Sequence, residues 1–547
     1  MATRSFRPAI RVCAFSLLIE MSLAQAKLLV LAIDAANPAL LQEWANDGTL
    51  PNLRALIARG LVGDSRSIDG FYVGATWPTF YTGVTPARHG FHYLVQLKPG
   101  TYHFYRPADE GIVKCPPFWQ HLSRAGRRVA ILDVPLTQID PSLNGIQLVE
   151  WGSHDAVYGF QAAPSQVGYT VNSLFGAHPA NPSCDGARRT AAEYQVFVDG
   201  LVQGVDTKAK LTKHFLAQGG WDFFMQVFTE SHCVGHQCWH LHDVHHPAHD
   251  PLLARAVGDP LRTVYCAIDR AIGEVIKEAG DGLVLVFVAH GMSFWYGANF
   301  LLREILIRLG VAQPLNSRTD QTGESIFLAS ARSAWRSLPL AIRHQLAPLH
   351  NWVSNASKAN KLPSLDVNTS SSYCFPHYNG LAISGIRLNL AGREPRGILE
   401  SGADTFCEKL TDDLLAIVDE RTGHPLIRRV TRTASLFDGQ YLDHLPDLLV
   451  EWSDEIPTGS TIVSAGIGAK VTARSAKIDR VEGVNDYGRT GEHRPNGWFV
   501  AVGPNITPNR LSREVSILDF APTFALFFDL NLPIPDGKPI HELIKPT

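Results

Sequence analysis

Two histidines at helical spacing are the first residues of this chain that indicate chemistry. His232 and His236 lie four positions apart, directly after the apolar run at 222–229. On a helix this spacing places both imidazoles on one face, close enough to bind one metal ion. Surface histidines also occur at this spacing, so the pair alone is a moderate signal. The chain has 22 histidines with a cluster at 214–249, and the alternative is a histidine-rich loop that binds nothing.

A hydroxyl that could act as a nucleophile stands in the segment GATWPTFYTG at 74–83. Thr76 follows a glycine-containing turn and precedes Pro78, a pattern that is typical of a helix start. The free backbone N–H groups of a helix start bind anions, and a hydroxyl placed there can be activated. An ordinary threonine cap is the commoner use of this pattern. Thr76 therefore needs support from other segments.

Three further candidate ligands stand next to predicted strands. Asp34 ends the run KLLVLAID, His290 follows the apolar run at 283–289, and His493 lies in the polar segment TGEHRP before 498–502. A carboxylate at a strand end is either a hard metal ligand or a helix cap, and histidine is the commonest metal ligand. We predict that His493 lies in a polar loop.

The elements that must position these residues alternate along the chain. Continuous apolar runs predict buried strands, and longer stretches between them predict helices. This alternation indicates an α/β fold with a doubly wound, mostly parallel sheet flanked by helices. In such sheets a ligand binds outside the carboxyl ends of the strands. Strands are expected at 27–34, 128–133, 222–229, 283–289, 381–390, 446–452 and 497–502, and helices at 38–47, 51–60, 116–125, 187–203, 206–218, 258–279 and 516–530.

Taken together, these segments resemble the alkaline phosphatase superfamily, and within it the type I phosphodiesterase/nucleotide pyrophosphatase branch. The resemblance runs over most of 27–545. It rests on Asp34, on the T-x-P element at Thr76, on the HGM at 290–292 and on the G-x-H at 491–493. It implies an alkaline phosphatase-like fold with an inserted cap region and a two-metal site.

The same resemblance implies a role for each site residue. Thr76 would be the nucleophile and would bridge toward the metals. His236 and His493 would bind the first ion, whereas Asp34 and His290 would bind the second. These roles are carried over from the family pattern, position by position.

Two carboxylates of that pattern are missing in this chain. His232 stands where the D-x-x-x-H element has its aspartate, and Ala289 stands where D-H-G-M has its aspartate. The first site then consists of His232, His236 and His493, three neutral imidazoles with an open position. Such a set suits one catalytic Zn²⁺.

Two hypotheses follow for the metal content. In the first, one zinc binds to the three histidines, and His290, held by Asp34, acts as the base for Thr76. In the second, two ions bind, and Glu230 or substrate oxygens complete the second site. We expect Zn²⁺, one ion rather than two, with Mn²⁺ or another divalent ion as the alternative.

The predicted function is metal-dependent hydrolysis of phosphate-type esters through a covalent Thr76 intermediate. The substrate would be a phosphodiester or resemble a nucleotide pyrophosphate. A group-transfer enzyme would use the same intermediate, and a degenerate member would bind a ligand without turnover. Sulfatase chemistry is disfavoured because it needs a cysteine or serine at the position of Thr76.

Composition and charge limit the partners. Apolar residues make up 45% and charged residues 18% of the 547 positions, which is typical of a globular protein. A formal charge of −3 gives no reason to expect a nucleic acid polymer as partner. Beyond the N-terminus, no stretch is long and apolar enough to span a membrane. A small-molecule phosphate ester is the expected partner, and the oligomeric state stays open.

The N-terminus allows two locations. Residues 1–26 resemble a secretory signal, but Glu20 interrupts the apolar run and Met21 offers another start. Eight cysteines without a C-x-x-C motif indicate reduced thiols. We therefore expect a cytoplasmic protein, with export as the alternative.

Four segments are expected along the chain. A leader at 1–26 precedes the first part of the core at 27–299. The region 300–375, with helix-like stretches and a Ser/Asn-rich end, is predicted to be an inserted cap. The second part of the core then occupies 376–547.

Overall fold

A computed structural model of the protein describes residues 26–153, 156–180, 189–295, 297–315, 362–454, 461–462, 469–485 and 489–544. The leader at 1–25 and most of the cap predicted at 300–375 lie outside the described residues. The strands are, in chain order, β1 (Leu28–Ile33), β2 (Leu61–Arg66), β3 (Gln96–Leu97), β4 (Phe104–Tyr105), β5 (Val129–Leu132), β6 (Gly145–Val149), β7 (Gln161–Ala163), β8 (Phe223–Phe228), β9 (Leu283–Val288), β10 (Gly291–Phe294), β11 (Cys374–His377), β12 (Ile383–Leu388), β13 (Val418–Asp419), β14 (Ile427–Arg432), β15 (Leu448–Trp452), β16 (Thr461–Ile462), β17 (Ala469–Ser475), β18 (Asp479–Asn485), β19 (Gly491–Arg494), β20 (Asn496–Val502), β21 (Asn509–Arg510) and β22 (Val515–Ser516). The α-helices are α1 (Pro38–Asn46), α2 (Pro51–Arg59), α3 (Thr76–Thr82), α4 (Pro86–His89), α5 (Phe118–Arg124), α6 (Ser165–Leu174), α7 (Ala191–Leu216), α8 (Glu230–His242), α9 (Pro251–Val257), α10 (Pro260–Ala279), α11 (Leu302–Arg308), α12 (Ala403–Leu415) and α13 (Phe520–Phe527).

A central sheet contains strands from the first part of the chain and three late strands, β20, β21 and β22. Its order is β21-β2-β20-β9-β1-β8-β5-β6-β7, and β22 also pairs with β2. Strands β9, β1, β8, β5 and β6 run parallel, whereas β20 runs antiparallel between β2 and β9. The predicted α/β class, with a mostly parallel sheet flanked by helices, is confirmed.

The central strands are apolar because helices cover both of their faces. Strands β1, β8 and β9 are buried at every position, and Gln226 is their one polar residue. Leu29 of β1 packs in the same cluster as Ile268 of α10, whereas Val30 packs in the opposite cluster with Phe80 of α3. Alternate side chains of one strand therefore face two helical layers. Among the described helices, none is long and apolar enough to cross a membrane.

One continuous helix replaces two predicted ones. The sequence predicts separate helices at 187–203 and 206–218, but α7 runs through both stretches. That prediction is wrong because Gly204 does not end a helix here. A Cβ at Gly204 would lie 2.4 Å from Nε2 of His178 and 3.2 Å from Oε1 of Glu230. This glycine allows close packing of the two side chains against α7.

A second, antiparallel sheet carries part of the later chain. Its order is β11-β12-β15-β14, and it shares an apolar cluster with α11 and α12. The strands expected at 381–390 and 446–452 do form, but they lie in this sheet and not in the central one. Strand β11 begins within the region 300–375, so the last residues of that region belong to this sheet. The predicted domain boundaries themselves stay predictions.

The reversed direction of β20 decides where the late histidine lies. Because β20 is antiparallel to β9, its N-terminal end meets the carboxyl ends of β1, β8 and β9. The residues before β20 form β19, which pairs with β10 and places His493 opposite Met292. The polar loop predicted around His493 is therefore wrong. The sequence GEHR lacks the apolar alternation that predicts a strand, and only its pairing with β10 makes it one.

Helix α8 lies against β19 at a contact that glycine allows. A Cβ at Gly491 would stand 2.3 Å from the carbonyl oxygen of Gly235, and a Cβ at Gly235 would stand 2.7 Å from Cγ of Met292. The backbone N–H of Thr490 also donates to the carbonyl of His236 at 2.7 Å. The helix and the strand are therefore held at a fixed, short distance.

Replacing Gly491 by alanine is expected to push β19 away from α8. Overpacking of this kind costs about 1–3 kcal/mol of unfolding free energy, which urea denaturation measures. Gly168→Ala is the matched control, because a Cβ there meets nothing closer than 3.4 Å and alanine favours a helix. Unchanged stability of Gly491→Ala would contradict the close contact.

Candidate active site

The predicted site residues meet at the carboxyl edge of the central sheet. Each of the six is at most 3% exposed: Asp34, Thr76, His232, His236, His290 and His493. They come from five places in the chain: the end of β1, the start of α3, the first turns of α8, the link between β9 and β10, and β19. Parallel strands, together with the reversed β20, bring these places to one edge.

The imidazole of His493 lies close to two other imidazoles at this edge. Nε2 of His493 lies 3.2 Å from Nε2 of His232 and 3.2 Å from Nε2 of His236. Two nitrogen ligands about 2.0–2.1 Å from one zinc ion, at a tetrahedral angle, lie about 3.3–3.4 Å apart. The observed separations are close to this value. His493 can therefore share a zinc ion with His232 or with His236, whereas no single group of ligand atoms within 4.8 Å contains both His232 and His236 among the described residues.

A backbone hydrogen bond orients one of these rings. Nδ1 of His236 donates to the carbonyl of Gly491 at 2.7 Å, which directs Nε2 toward His493. Metal-binding histidines commonly use their second ring nitrogen in this way, because the bond fixes the tautomer and the ring orientation. The same β19 backbone thus supplies one candidate ligand and orients another.

Two overlapping groups of side chains could hold a metal ion. The ligand atoms of His232, His290 and His493 all lie within 4.8 Å of one another, and so do those of His236, Glu492 and His493. Imidazoles and carboxylates are ligands that zinc accepts. The donor set therefore fits a divalent metal, although it differs from the family pattern at two carboxylates.

The hydroxyl of Thr76 is held by two oxygen atoms. Thr76 is the first residue of α3, as predicted, and its Oγ1 donates to the carbonyl of Tyr72 at 2.8 Å. Oγ of Ser67 lies 2.6 Å from the same Oγ1. Since Thr76 has one proton, Ser67 is the donor in this contact whenever Thr76 donates to Tyr72. Ser67 directly follows β2, so the sheet itself delivers it to the site.

Asp34 acts on His290 through charge. Nε1 of Trp77 donates to Oδ1 of Asp34 at 2.9 Å. Nε2 of His290 lies 4.0 Å from that oxygen, which is within the range of an ion pair but too long for a hydrogen bond. Asp34 can therefore favour a protonated His290, but it does not orient the ring through this contact.

The carboxylate of Glu230 is engaged by a buried lysine and a buried histidine. Its Oε1 lies 2.9 Å from Nε2 of His178 and 3.3 Å from Nζ of Lys208, which also lies 3.0 Å from Asp133. Among the described residues, Glu230 belongs to neither group of metal-binding side chains. The hypothesis that Glu230 completes a second metal site is therefore not supported by this arrangement.

The charges in this buried network sustain one another. Burial alone would lower the pKa of Lys208, but Glu230 and Asp133 raise it above its usual value. Burial alone would raise the pKa of Glu230, but Lys208 and His178 lower it. Lys208 and Glu230 are therefore charged at neutral pH. Together they tie the first turn of α8, which carries His232, to α7 and to the end of β5.

Histidines at the end of α8 and after it contact Thr490, the residue before β19. Nδ1 of His240 lies 3.1 Å from Oγ1 of Thr490, and Nε2 of His246 lies 3.2 Å from the carbonyl of Thr490. Nδ1 of His249 lies 2.8 Å from the carbonyl of His240. Part of the histidine cluster at 214–249 therefore serves packing, which was the alternative to metal binding.

Three residues at the site were not predicted from the sequence: Ser67, Arg489 and Glu492. Oε1 of Glu492 lies 3.6 Å from Nε2 of His493, and Nη1 of Arg489 lies 3.5 Å from Nε2 of His236. Neighbouring side chains of a regular strand point to opposite faces, so the strand pattern alone does not predict that Glu492 lies near the His493 ring. The available signal was the charged run RTGEHR around a predicted ligand.

The fold and the buried site agree with the family resemblance of the sequence. A cluster of buried imidazoles lies at the carboxyl edge of the sheet, at the edge where a helix-start threonine also stands. The family model for type I phosphodiesterase / nucleotide pyrophosphatase matches residues 28–345, and the chain belongs to that family. It is accordingly an enzyme of the phosphodiesterase/phosphatase type.

Solved structures with a similar fold are distant in sequence. Phosphonoacetate hydrolase from Sinorhizobium meliloti 1021, in complex with phosphonoformate, is 15% identical, with a TM-score of 0.48 over 91% of this chain and 95% of that chain. Murine ectonucleotide pyrophosphatase / phosphodiesterase 5 is 11% identical, with a TM-score of 0.44 over 94% of this chain and 97% of that chain. No curated protein matches the sequence.

Lys208→Met is expected to destabilise the protein strongly. The substitution removes the cation and leaves the Asp133 and Glu230 carboxylates buried together. Breaking a buried ion pair in this way costs about 3–5 kcal/mol of unfolding free energy, measured by urea denaturation.

Lys213→Met on the same helix is the matched control. Its ammonium pairs with Glu274 at 2.9 Å, but both side chains are about a third or more exposed. Exposed pairs contribute about 0–1 kcal/mol. Similar losses for the two variants would contradict a special role for the buried lysine.

Proposed function

We propose that this enzyme hydrolyses phosphate-type esters through a covalent intermediate on Thr76, next to a zinc ion. The substrates would be small phosphodiesters or nucleotide pyrophosphate-like esters. The observation that carries this proposal is the 3.2 Å approach of His232 and His236 to His493, at the sheet edge where Thr76 begins α3. Membership of the family supports the reaction class.

Two distances support zinc binding by these histidines, since Nε2 of His493 lies 3.2 Å from Nε2 of His232 and of His236. Zinc held by His232, His236 and His493 would act as a Lewis acid on a phosphoryl oxygen of the substrate. The burial of all three rings excludes water from the ligands and strengthens electrostatic interactions. The ring orientation comes from the protein backbone, as the bond from His236 to Gly491 illustrates.

Thr76 would form and then lose a bond to phosphorus. Its Oγ1 first leaves the carbonyl of Tyr72 and attacks, so that a P–O bond to Thr76 forms while the bond to the leaving oxygen breaks. The Thr76 proton passes to His290 and from there to the leaving oxygen. Water then cleaves the bond to Thr76. Asp34, 4.0 Å from His290, favours the protonated imidazole by its charge.

We further propose that the enzyme works in the cytoplasm. In the described residues the cysteines are free thiols, which supports a reducing compartment: Cys115, Cys233, Cys238, Cys266, Cys374 and Cys407. N-terminal sequencing of the native protein tests this proposal. Loss of residues 1–26 would instead indicate export.

Thr76→Ala is expected to lower kcat by about 10³-fold or more, because it removes the nucleophile. Thr76→Ser should keep part of the activity, since it keeps a hydroxyl. Thr82→Ala is the matched control: it removes a buried hydroxyl of the same helix, which bonds the carbonyl of Pro78 at 2.6 Å. Initial rates on p-nitrophenyl phosphate and bis-p-nitrophenyl phosphate measure all three. Equal rates for wild type and Thr76→Ala would exclude a Thr76 intermediate.

The same assays separate the alternative functions. Faster release of nitrophenol with added alcohol, together with formation of the alcohol's ester, would indicate group transfer. No turnover of any ester after zinc loading would indicate a protein that binds a ligand without chemistry.

Removal of metal by EDTA is expected to abolish hydrolysis, and added Zn²⁺ should restore it. Metal analysis after dialysis should give about one zinc per chain, because three imidazoles and one open position suit one ion. Activity that survives complete metal removal would refute metal dependence. About two tightly bound ions would refute the single-metal form of the proposal.

A further inference from the structure

A buried carboxylate stands beside the three imidazoles, at a position that the family pattern does not assign to the metal. Glu492 is fully buried on β19. Its Oε1 accepts the backbone N–H of His493 at 2.9 Å and lies 3.6 Å from Nε2 of the same residue. The ligand atoms of Glu492, His236 and His493 all lie within 4.8 Å of one another.

We propose that Glu492 is a ligand of an ion that His236 and His493 also bind. It would replace the carboxylate that the family pattern has at the position of His232. This inference rests on the proposed zinc-dependent function and names a carboxylate donor of its metal site. The inference concerns Glu492 only and leaves the role of Thr76 unchanged.

The distances place Glu492 together with His236 and His493. Nε2 of His493 has a single lone pair and can therefore bind one ion, and it lies 3.2 Å from Nε2 of His236. An imidazole nitrogen and a carboxylate oxygen on one tetrahedral zinc lie about 3.4 Å apart. The 3.6 Å between Oε1 of Glu492 and Nε2 of His493 differs from this by a few tenths of an ångström.

Charge is the second reason to include Glu492. Neutral imidazoles do not neutralise a dication, and an uncompensated charge in a buried site costs several kcal/mol. Two fully buried carboxylates adjoin the cluster, Glu492 next to His493 and Asp34 near His290. Together they balance one Zn²⁺. This balance explains how the site can hold an ion although the chain has histidine and alanine at two aspartate positions.

A neighbouring arginine shows that this location accepts positive charge. Nη1 of Arg489 lies 3.5 Å from Oε2 of Glu492 and 3.5 Å from Nε2 of His236. Its guanidinium can offset the Glu492 charge before an ion binds. Glu230 pairs with Lys208 and, among the described residues, belongs to neither group of possible metal ligands, so the two buried glutamates near α8 have different surroundings.

A donor set of Glu492, His236 and His493 leaves one position of a tetrahedral zinc open. A phosphoryl oxygen of the substrate would take this position. The carboxylate would also moderate the charge of the ion, so that the ester product is released more easily than from an all-imidazole site.

Glu492→Gln tests the proposal, because it keeps the size of the side chain and removes its charge. Zinc affinity is measured on the full chain by competition with a chromophoric chelator, without any assay of turnover. The variant is expected to bind zinc more than about 100-fold more weakly than wild type, since loss of an outer-shell partner alone costs 10–100-fold. The thermal stabilisation that zinc gives should shrink in parallel.

Glu394→Gln is the matched control for loss of a buried carboxylate. Glu394 pairs with Arg387 at 2.8 Å in the second sheet, so its change should lower stability and leave zinc affinity unchanged. Circular dichroism of the metal-free proteins checks that each variant folds. If Glu492→Gln does not fold, Glu492→Asp replaces it, since the shorter side chain should also weaken zinc binding.

Cobalt(II) in place of zinc gives a visible spectrum that would not change in the variant if Glu492 had only a structural role. The visible bands of bound cobalt depend on its donors, so they should differ between wild type and Glu492→Gln. Equal zinc affinity and identical cobalt bands would overturn the assignment of Glu492 and leave the proposed function intact. A loss of affinity in Glu230→Gln but not in Glu492→Gln would overturn it as well. Failure of wild type to bind zinc would overturn the metal-dependent function too.

Discussion

The close approach of helix α8 to strand β19 is the contact on which the whole site depends. The helix carries His232 and His236, and the strand carries His493. Nε2 of His493 lies 3.2 Å from Nε2 of each of the other two histidines. Two glycines, Gly235 and Gly491, allow the helix and the strand to approach this closely. Small changes in this spacing would separate the imidazoles by more than a metal–ligand bond can bridge.

Several surrounding elements hold helix α8 and strand β19 in contact. The antiparallel β20 places the residues before it at the carboxyl edge of the sheet, where β19 pairs with β10. His240 and His246 contact Thr490, the residue before β19. Lys208 pairs with Glu230 and so holds the first turn of α8. These buried charged groups and imidazoles therefore have a structural role, because they fix the positions of α8 and β19.

The electrostatic character of the site follows from which carboxylates are compensated. Glu230 is satisfied by Lys208 and His178, and these contacts hold its charge in a structural role. Glu492 lies beside the imidazole of His493 and within 3.5 Å of the Arg489 guanidinium. Asp34 is held by Trp77 and stands near His290. Residues of one chemical type thus have different functions because their neighbours differ.

The sequence by itself determined the α/β class, the parallel core and most site residues. Apolar runs such as LLVLAI predict strands buried on both faces, and the glycine-turn-proline pattern predicts Thr76 at a helix start. Both signals are local, so they can be recognised along the chain. The roles of Glu230 and Glu492, the strand at His493 and the unbroken α7 were decided by tertiary structure alone. Each depends on a partner that is distant in sequence: Lys208 for Glu230, β10 for His493, and the His178 side chain for Gly204. The physical reason is that charge compensation, strand pairing and close packing are properties of pairs of residues, and spacing along one chain does not reveal which pairs meet.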